Sequence, residues 1–415
     1  MLRLLKKLRR NERGNVLIIG SAGLAVDTVQ WALWKRQIQR AADSAALAGV
    51  YATVQGGQTA QAAAEDSLSR FNNTGLTLAT PTYPTPQTGN WANPFRIRLT
   101  TTKMPYFASM FMPSITIPAE ATAATIRTGV YCVVSLVNTG VTGITATGNG
   151  DIRLGCGMIT NSTSMSAAIA TGSSDVYATP VAAVGAVPSS NNWNGAELLP
   201  FTVKQDDPYA NLPMPAAGPC KGNTNKLDVP NNGYLDLSAT TANSVVCVSD
   251  MQVDGRLLLG PATYYIDGGN FDLGSNADIS CNGCTIILSN SDASTTASIG
   301  RVTMNAQAKS NMTAPGEGST YRGVLFYQDR RAVSTNSNAN MINGTSTSTF
   351  SGAMYFPKTH LNINGNAGLS FTCGQFVSWT VEFSGNSGIT NTINNTCNDG
   401  DDPNAIMGRH VRLVA

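Results

Sequence analysis

Residues that could do acid–base chemistry are few and scattered in this chain. Acidic residues number 25 in 415. The best placed are Asp329, followed by Arg330 and Arg331 directly after the strand-like run Gly323-Val324-Leu325-Phe326-Tyr327, then Glu382, Asp267 and Asp272. A glycoside hydrolase needs two carboxylates facing one cleft. A polysaccharide lyase needs clustered carboxylates for Ca²⁺ and a basic proton acceptor. Each candidate also has a plainer reading. Asp329-Arg330 is a turn closed by local charge pairing, and Asp267 precedes the turn signature Gly268-Gly269. Glu382 alternates with Val381 and Phe383, which places it on a solvated face.

His360 and His410 are the 2 histidines, which leaves little room for a Ser-His-Asp or Cys-His arrangement or for zinc. Gly218-Pro219-Cys220-Lys221 lacks the glycine spacing of a phosphate loop. The 8 cysteines stand at Cys132, Cys156, Cys220, Cys247, Cys281, Cys284, Cys373 and Cys397. An even number in an exported chain reads as disulfides. Sequential pairing (132–156, 220–247, 281–284, 373–397) is preferred because short loops close most readily. Cys281-Asn282-Gly283-Cys284 has redox spacing, but it precedes the strand signal Thr285-Ile286-Ile287-Leu288 instead of opening a helix, where a dipole would lower the thiol pKa. No cofactor is expected.

The elements that carry these residues fall into three parts: 1–56, 57–130 and 131–415. The first has a basic head (Arg3, Lys6, Lys7, Arg9, Arg10, Arg13), an apolar run from Val16 to Val26, and a helical pattern to about residue 55. Positive charge stays cytoplasmic, so the chain beyond about residue 35 is expected outside the cytoplasm. The run would span about 16 Å as a helix, against a hydrocarbon core of about 30 Å. Three readings stand: a retained signal anchor, a signal peptide cleaved near Gly23-Leu24-Ala25, and an amphipathic soluble helix. The anchor is preferred, formed by Val16, Leu17, Ile18, Ile19, Leu24 and Val26 with Trp31 and Trp34 at the interface. It places the chain in a bacterial inner membrane with its bulk periplasmic or at the cell surface. Ala41, Ala45 and Ala48 form a small-residue face for a partner helix or for the following domain, or else reflect only that alanine is a good helix former. Gly56-Gly57 ends the helix.

Residues 57–130 read as a small helix-plus-sheet module. A helical pattern stops at Asn72-Asn73-Thr74-Gly75, and Phe95-Arg96-Ile97-Arg98-Leu99-Thr100 alternates as a half-buried strand does. Ile115-Thr116-Ile117 and the stretch from Ala119 to Ile126 continue that pattern. Between them, Tyr106-Phe107-Ala108-Ser109-Met110-Phe111 is expected in the core. From Tyr131 short strands alternate with Gly/Asn turns. Gly344, Gly365 and Gly385 recur at a period near 20, with Gly352 and Gly374 in a second phase. That spacing fits coils of a right-handed parallel β-helix better than a β-sandwich. A Pro/Asn/Asp-rich stretch near 185–230 reads as an excursion from the coils.

Charged residues are 13% and the net charge is +2, concentrated at the N-terminus, so no basic surface is available for nucleic acid. The 42% hydrophobic content argues against disorder. Ladders such as Thr345-Ser346-Thr347-Ser348-Thr349 suit glycan or protein contact, with no particular patch singled out.

Glu12-Arg13-Gly14-Asn15-Val16, Ala22-Gly23-Leu24-Ala25-Val26-Asp27 and Gln39-Arg40-Ala41-Ala42-Asp43-Ser44-Ala45-Ala46-Leu47-Ala48-Gly49 resemble the opening of TadG-like proteins, of the tight-adherence (Tad, or Flp) pilus assembly family. The segment from Phe95 to Ala124 resembles the TadE/TadG pseudopilin-like module. Asp207-Pro208-Tyr209-Ala210-Asn211-Leu212-Pro213, Gly323 to Arg331, and Gly352-Ala353-Met354-Tyr355-Phe356-Pro357 are similar to a long-tailed subset. The family usually carries a longer apolar run between Asn15 and Asp27. Ile19 stands where prepilin cleavage after Gly14 would need a glutamate, so the chain is not expected to be processed as a pilin.

The resemblance implies a non-enzymatic envelope protein that assembles or anchors Tad/Flp pili and supports surface adherence. Its partners would be the inner membrane and other pilus-assembly proteins, pseudopilins or secretion-channel components. The expected fold is mainly β: an N-terminal membrane-associated helix, a small α+β pseudopilin-like module and a C-terminal right-handed parallel β-helix. A carbohydrate-active β-helix enzyme and a free-standing adhesin are the alternatives.

Overall fold

The computed structural model describes residues 12–70, 75–85, 91–213, 220–222, 225–333, 339–365, 368–386, 388–393, 397 and 406–414; the basic residues before Glu12 and the turn at 72–74 lie outside them. The chain is mainly β and divides into two compact units, Met1–Arg127 with Arg409–Ala415, and Thr128–Gly408.

In the first unit, α1 (Glu12–Gln55) ends at Gly56 and Gly57, both at positive φ. Such backbone is nearly free of cost for glycine alone. Thr59 then caps α2 (Ala60–Arg70) through its hydroxyl, which accepts from the Ala62 N–H at 3.2 Å. Strands β1 (Leu76–Leu78), β2 (Trp91–Lys103) and β3 (Ile115–Ser135) pair antiparallel in that order. Phe95, Ile97 and Leu99 on β2 and Ala119, Ala121 and Ala123 on β3 are buried, as the two-residue period requires.

The small-residue face of α1 packs against β2 and α2 within this unit. Ala41, Ala42, Ala45 and Ala46 are buried, and a Cβ on Gly49 would meet the Phe95 ring at 2.2 Å. Only a helix without bulk there lets the ring approach.

The membrane anchor is overturned. No helix among the described residues is long and apolar enough to cross a membrane. The physical reason is local: Asp27, Thr28 and Gln30 keep the apolar run from extending beyond Val26, and Asp27 is drawn into a polar contact. Leu24, Val26 and Trp31 are exposed and Trp34 is half-buried, all on the unit's surface. Of Val16, Leu17, Ile18 and Ile19 only the helical backbone is described. Inner-membrane localisation falls with the anchor, while four disulfides suit an oxidising, exported environment.

The apolar segment 106–111 is likewise not core. Tyr106, Phe107, Met110 and Phe111 are exposed. The Asp27 carboxylate accepts from the backbone N–H groups of Tyr106 (2.9 Å), Phe107 (3.1 Å) and Ala108 (2.6 Å), at the start of a single 3₁₀ turn, Ala108–Met110. That turn carries the side chains outward. Burial works to raise the Asp27 pKa, but the three N–H groups outweigh it and hold the carboxyl below its usual value.

The second unit is a long stack of parallel strands compatible with a β-helix. Between 226 and 313 each strand pairs with the strand three places on in sequence: 226–229 with 250–253, 234–237 with 256–259, 245–248 with 263–266. That pattern defines three strands per coil. The order of coils in space differs from their order in sequence. Rungs run from 245–248 through 263–267, 285–289 and 324–328 to 353–355 and 376–378. The next rung is not later in the chain but earlier. Phe376, Val377 and Ser378 pair with Val133, Val134 and Ser135, and the stack continues through 157–160 and 181–183 to 198–199. The chain therefore begins its coils in the middle of the stack, winds to one end, returns to the opposite end, and winds back to meet its own first coil.

Of the return segment between 199 and 226, the described residues 200–213 and 220–222 lie along one face of the stack. Gln205 exchanges two 2.8 Å hydrogen bonds with Asn161, Tyr209 reaches Gln375 at 2.5 Å, and Cys220 is disulfide-bonded to Cys247. The central strands on this face are covered on both sides. Val324–Gln328 and Thr285–Ser289 are buried throughout, whereas strands of the other faces alternate, as Lys226–Val229 does. Continuous apolar runs mark the doubly covered strands and alternating runs the singly covered ones. Phe271, Phe326 and Phe356 stack through the interior with centroids 5.5 and 6.3 Å apart. Each such fully buried ring contributes about 2 kcal/mol. The four disulfides pair sequentially, as loop closure favours.

Candidate functional site

Two polar clusters stand out on the second unit, one closed and one open. The closed one forms where the return segment crosses the stack. Arg330 follows the strand Val324–Gln328. It donates to the Tyr355 hydroxyl at 2.9 Å, to the Tyr209 carbonyl at 2.5 Å and to the Leu212 carbonyl at 3.2 Å. Tyr355 in turn donates to Asp207 at 2.7 Å. Tyr209 packs edge to face on Tyr355 and Tyr327 lies tilted against it, adjacent centroids 5.3 Å apart, with the Arg330 guanidinium within 5.7 Å of the Tyr327 and Tyr355 rings. Burial raises the phenol pKa values, Tyr327 up to about 12 and Tyr355 higher still. Both hydroxyls therefore stay protonated at neutral pH, and that of Tyr355 acts as a donor, not as a base. Three phrases distant in sequence, 207–213, 323–331 and 352–357, thus form one joint.

Asp329 is fully buried and does not face a cleft. It accepts from Arg331 at 2.7 Å and from the Ser289 hydroxyl at 2.7 Å. Burial works against its charge, yet these bonds hold its pKa below the usual carboxylate range. Arg331 extends across to the Asn290 carbonyl at 2.8 Å. The pair ties the 290–294 loop to the next coil. Asp267 performs a similar service, accepting from Ser291 through both backbone and hydroxyl. Asp272 lies apart, on a strand paired with 251–253 and 302–304, and burial pushes its pKa up. Asp329, Asp267 and Asp272 are not brought to one cleft. Cys281 and Cys284 are buried in a disulfide at a coil corner, with Gly283 at φ 84° between them.

The open cluster is a groove of about 960 Å³ at the place where the last coil meets the first. Its floor comes from three neighbouring rungs, 358–362, 379–382 and 139–145. Asn362, Glu382 and Thr145 are in register across it, and His360 is in register with Thr380. Leu361, Val381 and Ile144, which alternate with them, are buried inside the stack. Trp379 is half-buried, with the Lys358 ammonium 5.7 Å from its ring centroid. Its carbonyl accepts from the Val137 N–H at 3.0 Å and the Ser135 hydroxyl at 2.9 Å, which fixes the backbone beneath the ring. His360 contacts the Thr380 hydroxyl, and burial lowers its pKa against the pull of Glu382. The imidazole is thus neutral at pH 7.

Glu382 is the one carboxylate among the described residues lining this groove. A glycosidase pair would need a second within about 10 Å. The arrangement suits binding, with polar side chains and an aromatic ring held on a rigid floor. Among the described residues, no group of histidine, cysteine and carboxylate side chains could hold a metal ion. Glu382 and His360 were visible in the sequence as single residues. Trp379, Lys358 and Thr145 were missed, because the 139–145 and 379–382 segments are neighbours only after the chain closes on itself. Comparison of the chain with protein-family models, with curated proteins and with solved structures gave no match.

Proposed function

We propose that this protein is an exported, non-enzymatic accessory protein of Tad/Flp-type pilus assembly that supports surface adherence. On this reading the first unit is the pseudopilin-like module, and the coil stack is a right-handed parallel β-helix. One observation carries the reading: the three phrases that resemble the long-tailed members of that family converge on the Arg330–Tyr355–Asp207 joint. They act together as one structural device and not as separate coincidences of composition. The partner is another pilus-assembly protein, a pseudopilin or a secretion-channel component. Tyr106, Met110 and Phe111, all exposed within one short segment of the first unit, offer apolar surface of the kind that marks interaction sites.

The test is deletion of the gene in its source organism, with surface pili counted by electron microscopy. The reading expects loss of pili, restored by the intact gene and not by one carrying Met110→Asp and Phe111→Asp. Normal piliation in the deletion strain would overturn it.

A further inference from the structure

We propose that the groove at the meeting of the last and first coils is a binding site for a neutral oligosaccharide, with Trp379 as its stacking platform. The argument rests on the groove alone and is independent of any role in pilus assembly.

The floor excludes several ligand classes. Its rungs are hydrogen-bonded to neighbours on both sides, 361–364 to 381–384 and 381–383 to 144–146, and 144–146 onward to 168–170. No backbone edge is open there for an added peptide strand, so side chains must do the recognising. Lys358 is the one cation among the described lining residues at neutral pH, since His360 is held neutral, and Glu382 offsets it. A nucleic acid or a polyanion would need a surplus of positive charge that the groove lacks. A wholly apolar ligand would leave Glu382 and Thr145 desolvated, a cost of about 1–3 kcal/mol for each group.

What remains is a molecule with an apolar C–H face and a rim of hydroxyls. The Trp379 ring matches the first, an amphipathic platform whose body is apolar. The rim meets groups that complement hydroxyls. Glu382 accepts, Thr145 donates and accepts, and the Asn362 amide donates, its oxygen accepting from the Ser384 hydroxyl at 3.1 Å. These three stand in register on adjacent strands, so polar groups recur at about 4.8 Å along the groove. A chain of sugar units presents hydroxyls repeatedly in the same manner. Preorganisation favours binding further, because the backbone under Trp379 is pinned by Ser135 and Val137.

The experiment is isothermal titration calorimetry of the full chain with chitotetraose, cellotetraose and mannotetraose, with trigalacturonate as the acidic comparison and an extended Thr/Val decapeptide as the peptide comparison. At least one neutral tetrasaccharide is expected to bind in the micromolar to millimolar range. Trp379→Ala should weaken it tenfold or more, and Glu382→Gln by a smaller factor with the melting temperature unchanged. The Glu382→Gln variant keeps the test decisive if Trp379→Ala fails to fold. The proposal is overturned if no neutral sugar binds at millimolar concentration, if affinity is unchanged in both variants, or if trigalacturonate or the peptide binds more tightly than every neutral sugar.

Discussion

The joint around Arg330 and the groove around Trp379 are made from the same kinds of residue: an aromatic platform, a long cation, a carboxylate and hydroxyls. They differ in what covers them. At the joint the return segment supplies carbonyls from Tyr209 and Leu212 and the carboxylate of Asp207, so each donor has an internal partner. At the groove the polar side chains of Glu382 and Thr145 face open space. A buried, satisfied polar cluster rigidifies a fold, whereas an open one remains available to a ligand. Chemistry-bearing residue types alone did not distinguish the two, and coverage did.

This contrast can be broken by mutation. The largest effect is expected for Arg330→Ala, which strands the Tyr355–Asp207 pair and frees the return segment. A loss of about 3 kcal/mol is expected, read by denaturant unfolding of the full chain. An effect below about 0.5 kcal/mol would mean that the joint is not cooperative. Replacing Cys220 and Cys247 with serine removes the far tether of the same segment. Their separation of 27 residues makes a loss of about 3 kcal/mol the expectation. Tyr355→Phe removes a single hydroxyl between two charged groups and should cost about 1–2 kcal/mol in the same assay.

Asp27 offers a third, smaller contrast, in the first unit. Its pKa is lowered on folding, so the stability it confers is present above the unfolded carboxylate value, near 4. That stability fades as pH falls through the lower, folded value. The wild-type chain should therefore lose protection of the 106–108 amides on acidification, followed by hydrogen exchange. Asp27→Asn should show weaker protection at pH 7 and little further change down to pH 3. At the small end, Glu382→Gln should change stability by less than about 0.5 kcal/mol, as expected of an exposed surface residue. A clear destabilisation would show that the groove is a structural seam and not an open site.

Much of the coil architecture is legible in the sequence. The recurrence of Gly344, Gly365 and Gly385 matches strands 340–343, 361–364 and 381–384, which lie on one face in register. The period of glycines reports the coil length because each coil must turn the same corners. Helix ends at Gly56-Gly57 and burial along β2 follow from local rules of the same kind. The fate of segments whose apolar character had two outlets was not legible. The Val16–Val26 run suggested a membrane and the 106–111 run suggested a core, and both readings fail. Asp27 decides the second by fixing where the 3₁₀ turn begins, a contact made 79 residues away in sequence.

By itself the sequence determined the local repeat, the shortage of paired carboxylates, and cysteines spaced to close short loops. These depend on neighbours a few residues apart or on composition. Only the tertiary structure decided that the first coil stacks on the last, that residues 205–213 pack on one face of the stack, and that Trp379 faces a groove. Each of these is a pairing between segments up to about 240 residues apart, such as Val133 with Phe376. A one-dimensional pattern states which residues can line a rung, but it cannot say which rung lies next. That choice falls to the edge strands, whose open hydrogen-bonding groups are satisfied only when a partner coil arrives.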